Sequence, residues 1–209
     1  MRTLIAPIVA ACLFASFAAQ AATVFKDNFN AGAKPDWGNQ SGQWRAVRGT
    51  YDASTPGNGT LHPVTYSDVT THANLTNFTV KVTVKDVNDG GVWLRSAYNG
   101  GQINGVLLVT GGDNGTNNGF YWHTVQNGVF SGPLGNAGFA GLQGSTQKLK
   151  IVVKGDTYSL YVGTSTTPLT TLNTNLFASG AAGLYDYSPQ NGAAKPRGQV
   201  FDNFDVTTP

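Results

Sequence analysis

Trp93 and Arg95 stand two residues apart in the segment Gly91-Val92-Trp93-Leu94-Arg95-Ser96. In an extended chain, alternation puts both on one face and Val92 and Leu94 on the other. An indole beside a guanidinium suits a sugar: C–H faces stack on the ring and hydroxyls accept from the arginine. The run Phe120-Tyr121-Trp122-His123 offers an aromatic pair to each face of its strand, so one pair must point away from the core. Tyr185 and Tyr187 share a face opposite Leu184. With Tyr98, these residues give an expected contact set of Trp93, Arg95, Tyr98, Trp122, His123, Tyr185 and Tyr187.

The carboxylates offer less. The chain contains no glutamate, and all 11 acidic residues are aspartates. Glycoside hydrolysis ordinarily places two carboxyl groups across the scissile bond. The nearest approach to such a pair, Asp202 and Asp205, is three residues apart, which in a regular strand means opposite faces. Asp27 and Asp202 fall in the first and last strand-like segments and could give hard oxygen ligands to a structural calcium. The competing reading is that they bond backbone amides or cap turns. Asp113-Asn114-Gly115-Thr116-Asn117 has the look of a calcium loop but lacks its closing bidentate carboxylate, so it reads as a turn. His62, His72 and His123 lack metal-ligand spacing.

The elements that must carry these residues are short strands. Phe78–Lys85 alternates Phe78, Val80, Val82 and Val84 with polar residues, the pattern of an antiparallel strand with one buried face. Gln147–Lys154 and Thr157–Val162 flank Gly155-Asp156, a two-residue hairpin turn. Leu149, Ile151 and Val153 face the core from the first run, and Tyr158, Leu160 and Val162 from the second. Further strands are expected at 23–28, 42–47, 50–53, 91–96, 105–110, 119–125, 182–187 and 199–207. With 27 glycines, many threonines and no helical periodicity, the chain reads as one all-β domain, a two-sheet antiparallel jelly-roll sandwich.

The start of the chain reads differently. Arg2, the apolar run 4–18 and Ala19-Gln20-Ala21 form the three parts of a secretory signal, giving a signal peptide at 1–21 and a single domain at 22–209. A lipoprotein box at Val9-Ala10-Ala11-Cys12 is the rival reading, with Cys12 as the lipidated residue. Cleavage at Ala21 removes the sole cysteine and with it any disulfide or thiol chemistry. The expected protein is secreted, periplasmic or extracellular, monomeric, and not inserted in a membrane after cleavage. Its basic residues are scattered along the sequence, which argues against nucleic acid and against an electrostatic membrane patch.

Several segments fall into a familiar order: Phe25-Lys26-Asp27-Asn28-Phe29, then Gly42-Gln43-Trp44-Arg45-Ala46-Val47-Arg48-Gly49-Thr50-Tyr51, then Gly90-Gly91-Val92-Trp93-Leu94-Arg95. Leu149–Val153, Tyr158–Val162, Gly183-Leu184-Tyr185 and Val200-Phe201-Asp202-Asn203-Phe204-Asp205-Val206 complete it. The whole resembles the concanavalin A-like lectin/glucanase superfamily, in particular bacterial laminin-G-like and 3-keto-disaccharide-hydrolase-type domains. The resemblance implies first and last strands side by side and a concave sheet that often binds glycans. It does not imply one activity. The glucanases' Glu-x-Asp-x-x-Glu strand cannot exist in a glutamate-free chain. Lyases of this fold use Tyr, His and Arg, types that Arg95, His123, Tyr185 and Tyr187 supply. In Gln102-Ile103-Asn104, however, asparagine stands where such lyases carry histidine. The expected function is non-catalytic binding of a glycan or polysaccharide, with a glycan-active enzyme and a structural or adhesive surface protein as alternatives.

Overall fold

The computed structural model describes residues 21–55, 65–111, 119–187 and 199–209. Most of the signal segment, His62 and the turn at 113–117 lie outside the described residues. Within them the chain forms strands and a single 3₁₀ turn, Thr70–His72. In chain order the strands are β1 (Ala22–Asp27), β2 (Gln43–Val47), β3 (Thr50–Thr55), β4 (Ser67–Asp68), β5 (Phe78–Lys85), β6 (Gly90–Asn99), β7 (Gln102–Thr110) and β8 (Gly119–Gln126). There follow β9 (Val129–Phe130), β10 (Leu134–Gly138), β11 (Gln147–Lys154), β12 (Thr157–Val162), β13 (Thr170–Asn173), β14 (Ala181–Asp186) and β15 (Val200–Thr208).

Two antiparallel sheets result. One has eight strands in the order β13-β12-β11-β5-β15-β3-β2, with β1 also paired to β15. The other has seven, β10-β8-β7-β6-β14-β4, with β9 also paired to β8. The first and last strands pair along their length, from Ala22 opposite Thr208 to Asp27 opposite Phe204. This is the two-sheet jelly-roll sandwich that the alternation predicts.

The core between the sheets follows the period-2 pattern. Val80, Val82 and Val84 of β5, Leu149, Ile151 and Val153 of β11, and Tyr158 and Leu160 of β12 line it from the eight-stranded sheet. Val92 and Leu94 of β6, Val106 and Leu108 of β7, Phe120 and Trp122 of β8, and Ala182 and Leu184 of β14 meet them from the other. At one end, Phe29, Trp37, Tyr51 and Phe204 pack ring to ring, with Phe29 stacked on Tyr51 at 5.0 Å and Trp37 5.0 Å from both Tyr51 and Phe204.

Two of the breaks in strand alternation bear on the expected sites. In β15, Asp202 lies opposite Thr83 and Asp205 opposite Lys81, so three residues span two on the partner. The extra residue, Asn203, takes a left-handed φ of 50°. This bulge overturns the expectation that the two aspartates face apart, since Thr83 and Lys81 share the outer face of β5. The second bulge lies in β6, between Leu94 and Ala97.

Candidate functional site

The seven-stranded sheet is apolar on both faces. Its outer face, turned away from the sandwich core, carries Tyr66, Trp93 from β6, Ile103, Leu107 and Val109 from β7, Tyr121 and Val125 from β8, and Tyr185 from β14. These are the alternate positions to the core residues of the same strands, so the two layers follow from one pleat. Trp93 sits at the centre, between Leu107 and Gly183 on the neighbouring strands. Its ring lies 5.8 Å from Tyr66, 6.0 Å from Tyr185 and 6.3 Å from Phe130.

The layer extends to a rim on three sides. Tyr98 stacks on Tyr66 at 5.6 Å with planes 21° apart. Tyr187 tilts against Tyr185 at 6.5 Å. His123 meets Tyr121 edge-on at 5.2 Å and Phe130 at 5.4 Å. Tyr98, His123 and Tyr187 are only partly buried, whereas Trp93 is fully enclosed and Tyr185 nearly so. The rim therefore offers ring faces and polar tips, and the centre supplies their support.

Phe130 reaches this layer through a tight hairpin. Asn127 and Gly128 have φ of 50° and 75°, the two left-handed residues of a type I′ turn, and they join β8 to β9. Asn104 Oδ1 accepts the Asn127 amide at 2.8 Å, so the third residue of the Gln-Ile-Asn segment serves the turn. His123 is held by the same hairpin, its Nδ1 lying 2.7 Å from the Ser131 carbonyl. A carbonyl only accepts, so Nδ1 carries the proton in that bond.

Burial keeps the Tyr66 and Tyr185 phenols protonated. Burial pushes the Tyr185 hydroxyl well above its ordinary value, and Asp89, Tyr187, Tyr121 and Asp186 add to the rise. Burial likewise raises Tyr66, with the Asp68 carboxylate adding to it. Tyr66 donates to Asp68 Oδ2 at 2.9 Å and lies 2.8 Å from Ser96 Oγ. Gln40 Nε2 donates to the other Asp68 oxygen. Burial raises the Asp68 carboxyl above its ordinary value, while the bonds from Gln40 and Tyr66 pull it back. A neutral phenol gives and accepts hydrogen bonds to hydroxyls but abstracts no proton near neutrality.

The structure divides the expected contact set. Trp93, Tyr98, His123, Tyr185 and Tyr187 come together on the outer face of one sheet. Trp122 does not. It points into the sandwich core, its Nε1 bonded to Thr170 Oγ1 at 3.2 Å and its ring 6.4 Å from Tyr158. Arg95 is the second correction. It has a left-handed φ of 44° at the β6 bulge, which turns its side chain inward. The guanidinium packs 5.4 Å from the Tyr158 ring and donates to the carbonyls of Thr76, Phe177 and Gly155 at 2.7–3.0 Å. Arg95 is a structural tie between the sheets.

The calcium pair is also dispersed. Asp27 faces inward, accepting from the Phe29 amide at 2.9 Å, the Lys34 amide at 2.8 Å and Trp37 Nε1 at 3.0 Å. Asp202 faces outward and pairs with Lys85 at 2.9 Å. Opposite faces of one sheet cannot close on a single ion, and each carboxylate already holds cationic or N–H donors. Among the described residues, no cluster of three or more metal-ligating side chains forms.

Tyr66, Phe130 and the bonds from the Tyr66 hydroxyl to Asp68 and Ser96 were not anticipated from the sequence, and Tyr121 was left open between the two faces of its strand. The Asn127-Gly128 dipeptide, a strong hairpin signal, was the available pointer to Phe130. Tyr66 immediately precedes, and Asp68 ends, a two-residue strand too short for periodicity to register.

No family model matches the chain, and no curated protein sequence matches it at a significant level. Solved structures do. A carbohydrate-binding module, CBM66 from Bacillus subtilis, superposes with a TM-score of 0.62 at 15% identity, over 83% of this chain and 96% of that one. The exoplasmic/lumenal domain of VIP36, in a form bound to Ca²⁺ and Man3GlcNAc, gives 0.60 at 10% identity over 87% and 86%. SCLam, a non-specific endo-β-1,3(4)-glucanase of family GH16, gives 0.58 at 10% identity over 93% of each chain. At such identities the likeness concerns architecture. The chain has the concanavalin A-like jelly-roll fold.

Proposed function

We propose that the protein is an exported, non-catalytic carbohydrate-binding module that takes its glycan on the outer aromatic face of the seven-stranded sheet. The observation that carries this reading is the rim of half-buried Tyr98, His123 and Tyr187 around a rigid, fully packed Trp93–Tyr66–Tyr185 centre. Aromatic faces that are already ordered lose little entropy on stacking against a sugar ring. The likeness in fold to a carbohydrate-binding module and to VIP36 in its Man3GlcNAc-bound form supports the same reading. The glutamate-free composition and the protonated Tyr66 and Tyr185 phenols favour binding over cleavage. The signal-like segment at 1–21 supports export.

A glycan array probed with wild type, Tyr98→Ala and Tyr187→Ala tests the proposal. Each rim variant is expected to weaken the wild-type hits by about tenfold, the equivalent of one lost stacking contact. A broad array without hits, or hits indifferent to both substitutions, would overturn it.

A further inference from the structure

The lysines that lie scattered in the sequence are gathered by the fold on the opposite side of the molecule. Along one rung of the eight-stranded sheet's outer face, Lys26 of β1 lies opposite Asp205 of β15, and Asp205 opposite Lys81 of β5. Lys81 in turn lies opposite Lys150 of β11, which is opposite Tyr161 of β12. Lys148 stands one pleat along β11, on the same face. Strands about 4.8 Å apart thus set four ammonium-bearing stems around one carboxylate. Lys26, Lys81, Lys148, Lys150 and Asp205 line a groove of about 410 Å³.

Two details set this groove apart from an ordinary solvated surface. Lys81 directly opposite Lys150 is a like-charge cross-strand pair, which costs stability where it stands. Asp205 Oδ1 is buried without a hydrogen-bond partner, although lysines flank it on both neighbouring strands. The ion pairs among the described residues, Arg45–Asp52 and Lys85–Asp202, use neither Asp205 nor any of the four lysines. A local rule broken twice at one spot, with a cavity above it, is the pattern of a binding site.

We propose that this groove binds an acidic sugar, one that carries a carboxylate or sulfate beside free hydroxyls. The lysines supply the cationic partners. The Asp205 carboxylate, partly exposed in the groove lining, supplies an acceptor that a sugar hydroxyl fills and that a bare anion would avoid. The same carboxylate disfavours a nucleic-acid backbone, which brings phosphates rather than a dense array of hydroxyl donors. The one aromatic on the rung, Tyr161, has the Lys150 ammonium 4.1 Å from its centroid, so its face is not open for base stacking. The site is independent of the aromatic face on the other sheet.

The test is calorimetric titration of oligogalacturonate and of a heparin-derived oligosaccharide into the purified protein at low salt. At least one is expected to bind, and K81Q/K150Q to weaken it tenfold or more. Fully methyl-esterified oligogalacturonate is expected not to bind in this groove. Asp205→Ala decides between recognition and bare electrostatics. It raises the positive charge, so a purely electrostatic patch would bind the anion more tightly, whereas the proposal requires weaker binding. Tyr98→Ala is expected to leave this affinity unchanged, which separates the groove from the aromatic face. Failure of both probes to bind, tighter binding by Asp205→Ala, or stronger binding of a single-stranded DNA of matched charge would overturn the proposal.

Discussion

Trp93 and Arg95 stand two residues apart on one strand yet project from opposite faces of their sheet. Trp93 centres the outer aromatic layer, and Arg95 reaches inward to Tyr158 and three backbone carbonyls. The bulge between Leu94 and Ala97 inserts the residue that reverses the alternation. One local irregularity thereby separates what a regular strand would have made a stacked sugar platform, and it assigns the arginine to stability.

Replacing Arg95 should therefore cost fold stability first. Its guanidinium is buried and satisfies the Thr76, Phe177 and Gly155 carbonyls, two of which belong to segments flanking the eight-stranded sheet. Arg95→Met removes the donors while keeping much of the stem, and should lower unfolding free energy by about 3 kcal/mol in urea titrations. Arg95→Lys should recover only part of it, because an ammonium cannot reproduce the planar fork. A methionine variant within about 0.5 kcal/mol of wild type would refute the tie.

Gly180 provides the room for that bulge. A Cβ there would stand 2.2 Å from the Arg95 carbonyl carbon and 2.6 Å from the Ser96 nitrogen, both backbone atoms that cannot swing aside. Gly105, with φ of 146°, sits against Ser96 from the other neighbouring strand. Gly180→Ala should thus drop the melting temperature by roughly 6 °C or more, corresponding to about 2 kcal/mol in a domain of this size. Unchanged melting would show that the bulge is not locked by this contact.

Much of the architecture is legible in the sequence because period-2 alternation is a strong signal wherever one face is buried. Phe78–Lys85 and the Gly155-Asp156 hairpin show it plainly, and their pairing in the structure is register-perfect from Leu149–Val162 to Lys154–Thr157. The aromatic layer is half legible: Tyr185 opposite Leu184 follows from the pleat. Arg95 and the pair Asp202/Asp205 are misplaced for one shared reason. Each of these bulges turns on one non-glycine residue at positive φ, Arg95 at 44° and Asn203 at 50°; arginine gives no sign of it, and a single asparagine inside a strand-like run gives only a weak one. Trp122 is misplaced because Phe120-Tyr121-Trp122-His123 is aromatic on both faces, so alternation fixes the pairing of its residues but not which pair is inside. The lysine rung was invisible for a different reason: Lys26, Lys81 and Lys150 become neighbours only through strand order.

Trp93 itself should report on folding more than on ligand contact. It is fully buried, its indole N–H lacks a hydrogen-bond partner, and rings of Tyr66, Phe130 and Tyr185 surround it. Trp93→Ala removes the centre of that cluster and should destabilise the protein by about 3–5 kcal/mol. The rim variants Tyr98→Ala and Tyr187→Ala should cost far less. Chemical denaturation of the three side by side checks this, and equal costs would contradict the division into centre and rim.

Asp68 should leave its mark on the pH dependence of stability. Burial raises its carboxyl above the ordinary value, so the folded state holds the proton more tightly than the unfolded chain does. A raised folded-state value contributes stability that is present at acid pH, below the unfolded value, and is lost as pH climbs through the folded one. Asp68→Asn keeps an acceptor for Tyr66 and never ionises, so it lacks this dependence. Wild-type stability relative to Asp68→Asn should accordingly fall as pH climbs from the ordinary aspartate value through the raised folded-state value, and then level off. Thermal melts of both proteins across that range measure it. A difference that stays flat, or that grows in favour of wild type as pH rises, would mean that the bonds from Gln40 and Tyr66 outweigh burial at this carboxylate.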